Sequence, residues 1–106
     1  MTDKLLHEMR GNTALITINN PAANTWDEES LTALKLLVED LNNDATCYSL
    51  VITGQGEKFF SAGADLNLFA SGDTDVARQM AEKCHGAFQA LSEFRGVSIA
   101  AINGYA

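Results

Sequence analysis

Apolar residues recur along the chain with two different periods, and each period predicts one type of element. Residues 5–10 and 13–18 alternate between apolar or branched side chains and polar ones, on either side of Gly11-Asn12. This pattern is typical of two strands joined by a tight hairpin turn. Residues 49–53 and 97–102 are short apolar runs bounded by turn residues. The first run predicts a central strand buried on both faces of a sheet, and the second predicts another buried strand.

Two longer segments carry apolar residues at steps of three and four, which is the period of an amphipathic helix. The first follows a loop at residues 19–24 that holds the only proline, and it ends at residues 42–44. Thr25 is predicted to cap this helix, with Glu28 closing a capping box. The second helix begins at Asp73 or Thr74 and ends at Arg95-Gly96. The apolar positions are Leu31, Leu34, Leu37, Val38 and Leu41 in the first helix, and Ala77, Met80, Ala81, Cys84, Ala87, Phe88 and Leu91 in the second.

The predicted order is therefore strand, strand, helix, strand, loop, helix, strand. Alternation of this kind indicates an α/β sheet with helical cover. The chain has 106 residues, the common size of one domain, so residues 1–106 are predicted to form a single domain. A strand followed by Asn103-Gly104 usually enters a turn or another element. We therefore expect the sequence to be a piece of a longer one.

Composition and charge remove several classes of function. Seven basic and fourteen acidic residues give a net charge of −7, which argues against a nucleic-acid partner. No apolar run approaches the length of a membrane span, and residues 1–20 lack the pattern of a secretory signal. Cys47 and Cys84 have no metal-binding spacing. Two buried, reduced thiols are expected, which fits a cytoplasmic protein without a metal.

Residues 58–66 hold the strongest candidate for chemistry. Phe59 and Phe60 form a strand-like aromatic run that stops at the small residues Ala62, Gly63 and Ala64. Asp65 suits the start of a short helical turn through Leu66, Leu68 and Phe69, because a carboxylate there accepts backbone N–H bonds. Small residues let a ligand approach the main chain, and exposed N–H groups at a helix entrance bind an anion or a developing oxyanion.

Other residues of catalytic type are interpreted as structural. Ser61 lacks the Gly-x-Ser-x-Gly form of a nucleophile elbow. His7 and His85 have no serine, cysteine or carboxylate arranged around them by sequence. Residues 54–56 lack the third glycine of a dinucleotide fingerprint. Glu57, Glu82 and Glu93 could be proposed as acids or bases, but they are interpreted as surface charges. Trp26 is expected to pack at the base of the first helix.

In four segments the chain resembles the enoyl-CoA hydratase/isomerase (crotonase) superfamily. These are the loop with Asn20-Pro21 and Asn24, the strand at residues 50–54, the stretch at residues 59–66, and residues 99–106. The last two are specific to the family. Pro21 and Asn24 lie one residue closer than in the commonest family pattern. Together the segments span essentially the whole chain, which resembles the N-terminal portion of a family member.

The resemblance implies a fold of repeated ββα units wound into a spiral, of which this chain is the N-terminal part only. It implies a coenzyme A thioester as substrate, with no separate cofactor. Two backbone N–H groups bind the thioester oxygen, and the first is that of Ala64. Residues lining the ligand path are Ala62, Gly63, Ala64, Asp65 and Leu66. The second donor and the catalytic carboxylates lie beyond Ala106, and full-length members assemble as homotrimers or dimers of trimers.

The function expected from this resemblance is that of an enoyl-CoA hydratase, with an isomerase or another crotonase-type lyase or hydrolase as alternatives. The isolated chain is predicted to be inactive because it lacks the proton-transfer groups. A different interpretation is a small α/β hydrolase-like or nucleotide-binding protein, which requires a nucleophile or phosphate motif. A third is a catalytically inactive binding or assembly fragment.

Overall fold

A computed structural model describes residues 2–65 and 72–106 of the protein. The element order is β1 (Leu5–Arg10), β2 (Thr13–Ile18), α1 (Glu28–Asn42), β3 (Ser49–Gly54), α2 (Thr74–Ser92) and β4 (Val97–Ala100). The strands form one sheet in the order β1-β2-β3-β4. β1 is antiparallel to β2, whereas β2, β3 and β4 run parallel. The predicted α/β class and the predicted order of elements are confirmed.

The predicted hairpin is present with the predicted bounds. Leu5 pairs with Ile18 at one end, and Arg10 pairs with Thr13 at the turn. Gly11 has a φ of 63°, a left-handed conformation that glycine adopts without steric cost. The register places alternate β2 residues, Ala14, Ile16 and Ile18, on the buried face of the sheet.

The core lies between that face of the sheet and the helices. Most of its members come from β2, β3, α1 and α2, with Leu5 of β1 and the loop residues Trp26, Cys47 and Phe94 added, and α2 packs against α1. β3 alternates between buried Leu50 and Ile52 and partly exposed Val51 and Thr53. The prediction that β3 is buried on both faces is therefore wrong, because helices cover only one face of the sheet in the part of the chain that the structure describes.

The prediction of a second buried strand is also wrong. Among the described residues, β4 occupies the edge of the sheet and pairs with β3 alone. Val97 is 59% exposed and Ile99 is 49% exposed, and the other two β4 residues are exposed as well. No element in residues 2–65 and 72–106 packs over the faces of β4, so its apolar side chains face solvent.

α1 begins at a different cap from the predicted one. Asp27, not Thr25, is the N-cap, and its carboxylate accepts from the N–H of Ser30 at 2.8 Å. The Ser30 hydroxyl accepts in turn from the N–H of Asp27 at 2.9 Å, which completes a capping box. Thr25 cannot take this role because the neighbouring residue Trp26 is held in an extended bridge with Ala64.

The Asp27 carboxylate is also ion-paired. Lys4 Nζ lies 2.6 Å from Asp27 Oδ2 and 3.1 Å from Glu29 Oε2. Burial on its own would raise the pKa of Asp27, but the hydrogen bonds from Lys4 and Ser30 outweigh it and hold that pKa below its usual value.

The other end of α1 is completed from a distant segment. α1 has no basic residue in its last turn. Arg95, which follows α2, donates from Nε to the carbonyl of Asn42 at 2.9 Å and from its backbone N–H to Asn42 Oδ1 at 2.8 Å. Its guanidinium also donates to the carbonyl of Asp44. A cation at this point complements the negative end of the helix dipole.

α2 starts as predicted, because Asp73 caps it by accepting from the N–H of Asp75 at 2.8 Å. Cys47 is buried, as expected, but Cys84 is only partly buried, and burial raises the pKa of its thiol. Both cysteines are free. Neither helix in residues 2–65 and 72–106 is long and apolar enough to cross a membrane.

Candidate functional site

Two asparagines hold the loop that follows β3. The carbonyl of Phe59 accepts from Asn24 Nδ2 at 2.9 Å and from Asn103 Nδ2 at 3.4 Å. Asn24 Nδ2 also donates to the carbonyl of Gln55, and Asn103 Nδ2 donates to that of Gly56. The loop is therefore fixed from both sides, by two residues that lie 79 positions apart in the sequence.

Asn24 is well suited to its place in this network. It is buried, with 3% of its surface exposed, and its φ of 53° is left-handed. Asparagine tolerates that conformation better than most residues. Its Oδ1 accepts from the N–H of Asn20 at 3.1 Å. No buried side-chain nitrogen or oxygen of the described residues lacks a hydrogen-bond partner.

Residues 103–106 pair with the stretch before the small residues. The carbonyl of Tyr105 accepts from the N–H groups of Phe60 at 2.8 Å and Ser61 at 3.2 Å. The N–H of Tyr105 donates to the carbonyl of Lys58 at 2.9 Å. Phe59 forms an isolated parallel bridge with Tyr105, in place of the predicted strand-like run. The two most family-specific segments are thus in direct contact.

β3 ends at a glycine because the loop crosses over it. A Cβ on Gly54 would lie 2.5 Å from the carbonyl oxygens of Phe59 and Phe60, closer than real contacts allow. Gly54 N–H donates to Asn103 Oδ1 at 3.0 Å. A larger residue at position 54 would push the loop away from the sheet.

The main chain around Ala64 is held by Trp26. The N–H of Trp26 donates to the carbonyl of Gly63 at 2.8 Å, and the N–H of Asp65 donates to the carbonyl of Trp26 at 2.9 Å. The N–H of Ala62 donates to the carbonyl of Ala23 at 2.9 Å. These three bonds fix the turn from the side of residues 23–26.

The N–H of Ala64 is left available by this arrangement. The Gly63 carbonyl and the Ala64 N–H belong to one planar trans peptide, so they point in opposite directions. Since the carbonyl points at Trp26, the N–H of Ala64 points away from it. Among residues 2–65 and 72–106, no acceptor is bound to this N–H. Ala62 is exposed and Ala64 is partly exposed.

The neighbouring sequence predictions are met in part. Gly63 has a φ of 96°, the left-handed conformation expected of it. Asp65 lies beside Ala64 and has interaction partners. The helical turn predicted through Leu66, Leu68 and Phe69, and with it the binding residue Leu66, falls outside the described residues.

The remaining candidates form no second site within the described part of the chain. His7, His85, Glu57, Glu82 and Glu93 are all exposed. Trp26 is buried and meets Phe88 of α2 edge-on, with ring centroids 5.6 Å apart. No group of three metal-ligating side chains is found in residues 2–65 and 72–106.

Two surface cavities differ in their relation to this loop. One of about 550 Å³ lies between α1 and α2, lined by residues such as Leu31 and Lys83, and shares no residue with the loop. A more open one of about 680 Å³ is lined by Glu57, Lys58, Gly104 and Tyr105. The second borders the start of the loop at Glu57 and Lys58, and Ala64 lines neither cavity.

Comparison with known proteins decides the family. The model of the family described as enoyl-CoA hydratase/isomerase matches residues 8–106. The chain belongs to this family. The enoyl-CoA hydratase/isomerase relatives include the short-chain-enoyl-CoA hydratase of Clostridium acetobutylicum, 30% identical over 105 residues, which cover 98% of this chain and 40% of the relative. The carnitinyl-CoA dehydratase of Escherichia coli K12 is 34% identical over 109 residues, which cover 100% of this chain and 40% of the relative.

Solved structures confirm the fold. DspI of Pseudomonas aeruginosa is similar with a TM-score of 0.97 and 65% identity, covering 99% of this chain and 43% of that one. The enoyl-CoA hydratase of Bacillus anthracis is similar with a TM-score of 0.91 and 26% identity, and the match covers 96% of this chain and 40% of that one. The predicted crotonase-like α/β fold is confirmed. The chain spans about 40% of the length of the curated relatives that it matches.

Proposed function

We propose that this chain forms the thioester-binding part of an acyl-CoA enzyme, and that the full-length natural protein hydrates a 2-enoyl-CoA. The observation that carries the proposal is the N–H of Ala64, which is aimed away from Trp26 and has no acceptor among the described residues. The family assignment supplies the ligand class, because the relatives cited above are named for enoyl-CoA and carnitinyl-CoA. The substrate is a coenzyme A thioester, and no separate cofactor or metal is needed for this role.

The proposed chemistry follows from one hydrogen bond. Addition of water to an α,β-unsaturated thioester places negative charge on the thioester oxygen. The Ala64 N–H would donate to that oxygen and stabilise the charge as it develops. A donor that is already fixed in place needs no reorganisation during the reaction, and one such donor contributes about 3 kcal/mol, or about a hundredfold in rate.

The residues around Ala64 suit this task. Ala62 and Gly63 have little or no side chain, so a thioester can reach the main chain. The carbonyl of Gly63 and the N–H of Asp65 are both occupied by Trp26, which keeps the Ala64 peptide from turning. Ala62, Gly63, Ala64, Asp65 and Leu66 remain the proposed ligand-binding set.

The proton-transfer groups are proposed to lie in the share of the family fold that this chain does not cover. The 106-residue chain alone is then expected to lack turnover. We further propose that the full-length protein is a cytoplasmic homotrimer or dimer of trimers, without nucleic-acid or membrane partners. An enoyl-CoA isomerase is the second candidate, because the matching family is described by both activities and the same oxyanion would form in each.

The test removes the donor and leaves the loop in place. Ala64→Pro deletes the N–H, whereas the matched variant Ala64→Gly retains it. In the full-length natural protein we expect Ala64→Pro to lower kcat/KM for crotonyl-CoA hydration by about a hundredfold or more, measured by loss of enoyl-thioester absorbance. Ala64→Gly should stay within about threefold of the natural protein, since its donor is intact.

Circular dichroism provides the control for folding of both variants. A folded Ala64→Pro variant with undiminished hydration would refute the proposed role of this N–H. Measurable hydration by the 106-residue chain alone would refute the placement of the proton-transfer groups outside it.

A further inference from the structure

A buried serine lies next to the proposed donor and has no part in the chemistry described so far. Ser61 is 7% exposed. Its hydroxyl donates to the carbonyl of Asn24 at 2.8 Å and accepts from the N–H of Gly63 at 3.1 Å. Both neighbours are main-chain groups, so the hydroxyl joins two separate segments of backbone.

These two hydrogen bonds restrict the backbone conformation of Gly63. The N–H of Gly63 belongs to the peptide before this glycine, and the Gly63 carbonyl belongs to the peptide after it. Ser61 holds the first peptide, and Trp26 holds the second through a bond of 2.8 Å. Gly63 itself has no Cβ to restrict its backbone. The two bonds therefore limit rotation at Gly63 and so of the peptide that carries the Ala64 N–H, in addition to the bond from the Asp65 N–H to Trp26.

The other end of the bridge is equally well fixed. The backbone carbonyl of Asn24 accepts the hydrogen bond from the Ser61 hydroxyl, and the side-chain amide of Asn24 donates to the carbonyls of Gln55 and Phe59. Asn24 is 3% exposed. Hydrogen bonds among buried groups are strengthened by their low-dielectric surroundings. Ser61 thus ties the Gly63 turn to Asn24, a buried residue that is itself bonded to the loop after β3.

We propose that Ser61 is a positioning residue whose hydroxyl bridge between Asn24 and Gly63 aims the Ala64 N–H at the thioester oxygen. This inference rests on the proposed function of Ala64. Ser61 touches no reacting atom. It acts on the transition state through Gly63, because a donor displaced by about 1 Å can lose about a hundredfold in rate.

The experiment compares the same substitution at two serines of the full-length natural protein. Ser61→Ala removes the bridge. Ser49→Ala removes a hydroxyl that is hydrogen-bonded to Thr13 at 2.7 Å across the sheet, away from the loop. For crotonyl-CoA hydration, Ser61→Ala should lower kcat about tenfold, and Ser49→Ala should leave kcat unchanged. Ser61→Thr, which retains a hydroxyl, should recover most of the loss, and Ser61→Cys, with a weaker donor, should fall between.

A second readout separates positioning from stability and from substrate binding. Affinity for a saturated acyl-CoA, which binds without reacting, should change less than kcat in Ser61→Ala, since positioning acts on the transition state. Hydrogen exchange of a peptide covering residues 61–64 should rise in Ser61→Ala and not in Ser49→Ala. Equal kcat values for the two folded alanine variants would overturn the inference.

The outcomes also distinguish this inference from the proposed function. If Ala64→Pro abolishes hydration while Ser61→Ala behaves like Ser49→Ala, only the role of Ser61 fails. If Ala64→Pro retains full activity, the proposed function fails first, and any loss in Ser61→Ala then has a different cause.

Discussion

β3 and β4 are adjacent parallel strands with similar sequences and opposite environments. Both are short runs rich in branched apolar residues, and Val51 pairs with Ile99 across them. β3 lies between two strands and presents Leu50 and Ile52 to the core. In the part of the chain that the structure describes, β4 has a neighbouring strand on one side only, and its side chains are exposed. The difference arises from the neighbours of each strand, not from its own composition.

This comparison teaches how to interpret an apolar strand pattern. Such a run shows that burial would be favourable, at about 25 cal/mol per Å² of apolar surface removed from water. It does not show that a covering element is present. α1 supplies that cover for β2 and β3, whereas no element in residues 2–65 and 72–106 covers β4. Stability should therefore depend strongly on the covered centre and weakly on the open edge.

The largest effect is expected from the helix that covers the sheet. Leu34 of α1 is fully buried, and Leu34→Ala should lower the free energy of unfolding by about 3 kcal/mol through lost burial and a cavity. Leu36, two residues further along the same helix, is 59% exposed. Leu36→Ala should cost under about 0.5 kcal/mol. Urea denaturation measures both, and similar losses would contradict the assignment of the core.

An intermediate effect is expected at the N-terminus of α1. Asp27→Ala removes the N-cap and should cost about 1 kcal/mol at pH 7. The folded state holds the pKa of Asp27 below its usual value, so its contribution is present above the unfolded pKa and is lost as pH falls through the folded pKa. The difference in stability between the natural chain and Asp27→Ala should therefore shrink on acidification.

Denaturation at a series of pH values from about 7 to about 3 tests this dependence. Asp40→Ala, on the exposed face of the same helix, serves as a control and should change stability by under about 0.5 kcal/mol at pH 7. A gap for Asp27→Ala that is constant across the series would show that the charge of Asp27 is not what stabilises the helix.

The smallest effect is expected at the open edge. Ile99→Ala in β4 should cost under about 1 kcal/mol because Ile99 is half exposed, whereas Ile52→Ala in β3 should cost about 3 kcal/mol. Urea midpoints of the two variants give the comparison directly. A cost at Ile99 equal to that at Ile52 would mean that β4 is covered in solution.

Much of the fold could be predicted because its signals are local. Alternation around Gly11-Asn12 determines the hairpin, and three- and four-residue spacing determines both helices. The choice of cap for α1 could not be predicted, because Thr25 and Asp27 are both good N-cap residues, and the bridge from Trp26 to Ala64 that distinguishes them joins residues 38 positions apart. The exposure of β4 could not be predicted either, since no property of a strand reveals which elements lie beside it.

The candidate site shows the same division. Small residues at Ala62, Gly63 and Ala64 could be singled out from the sequence, and Gly63 has the expected left-handed φ. Two other features of the site could not be predicted, because they depend on contacts between residues far apart in the sequence. They are the meeting of Asn24 and Asn103 at the Phe59 carbonyl and the hydroxyl bridge from Ser61. The motif around Ser61 argues against a nucleophile, but the sequence provides no signal for a hydroxyl that joins two backbone segments.

Arg95 has a consequence for how the molecule opens. The final carbonyls of α1 are satisfied by a residue 53 positions after Asn42. Fraying of the segment after α2 would leave those carbonyls without their cation, so the last turn of α1 and the entry to β4 should open as one cooperative unit. A single side chain therefore joins the C-terminal end of α1 to the segment that follows α2.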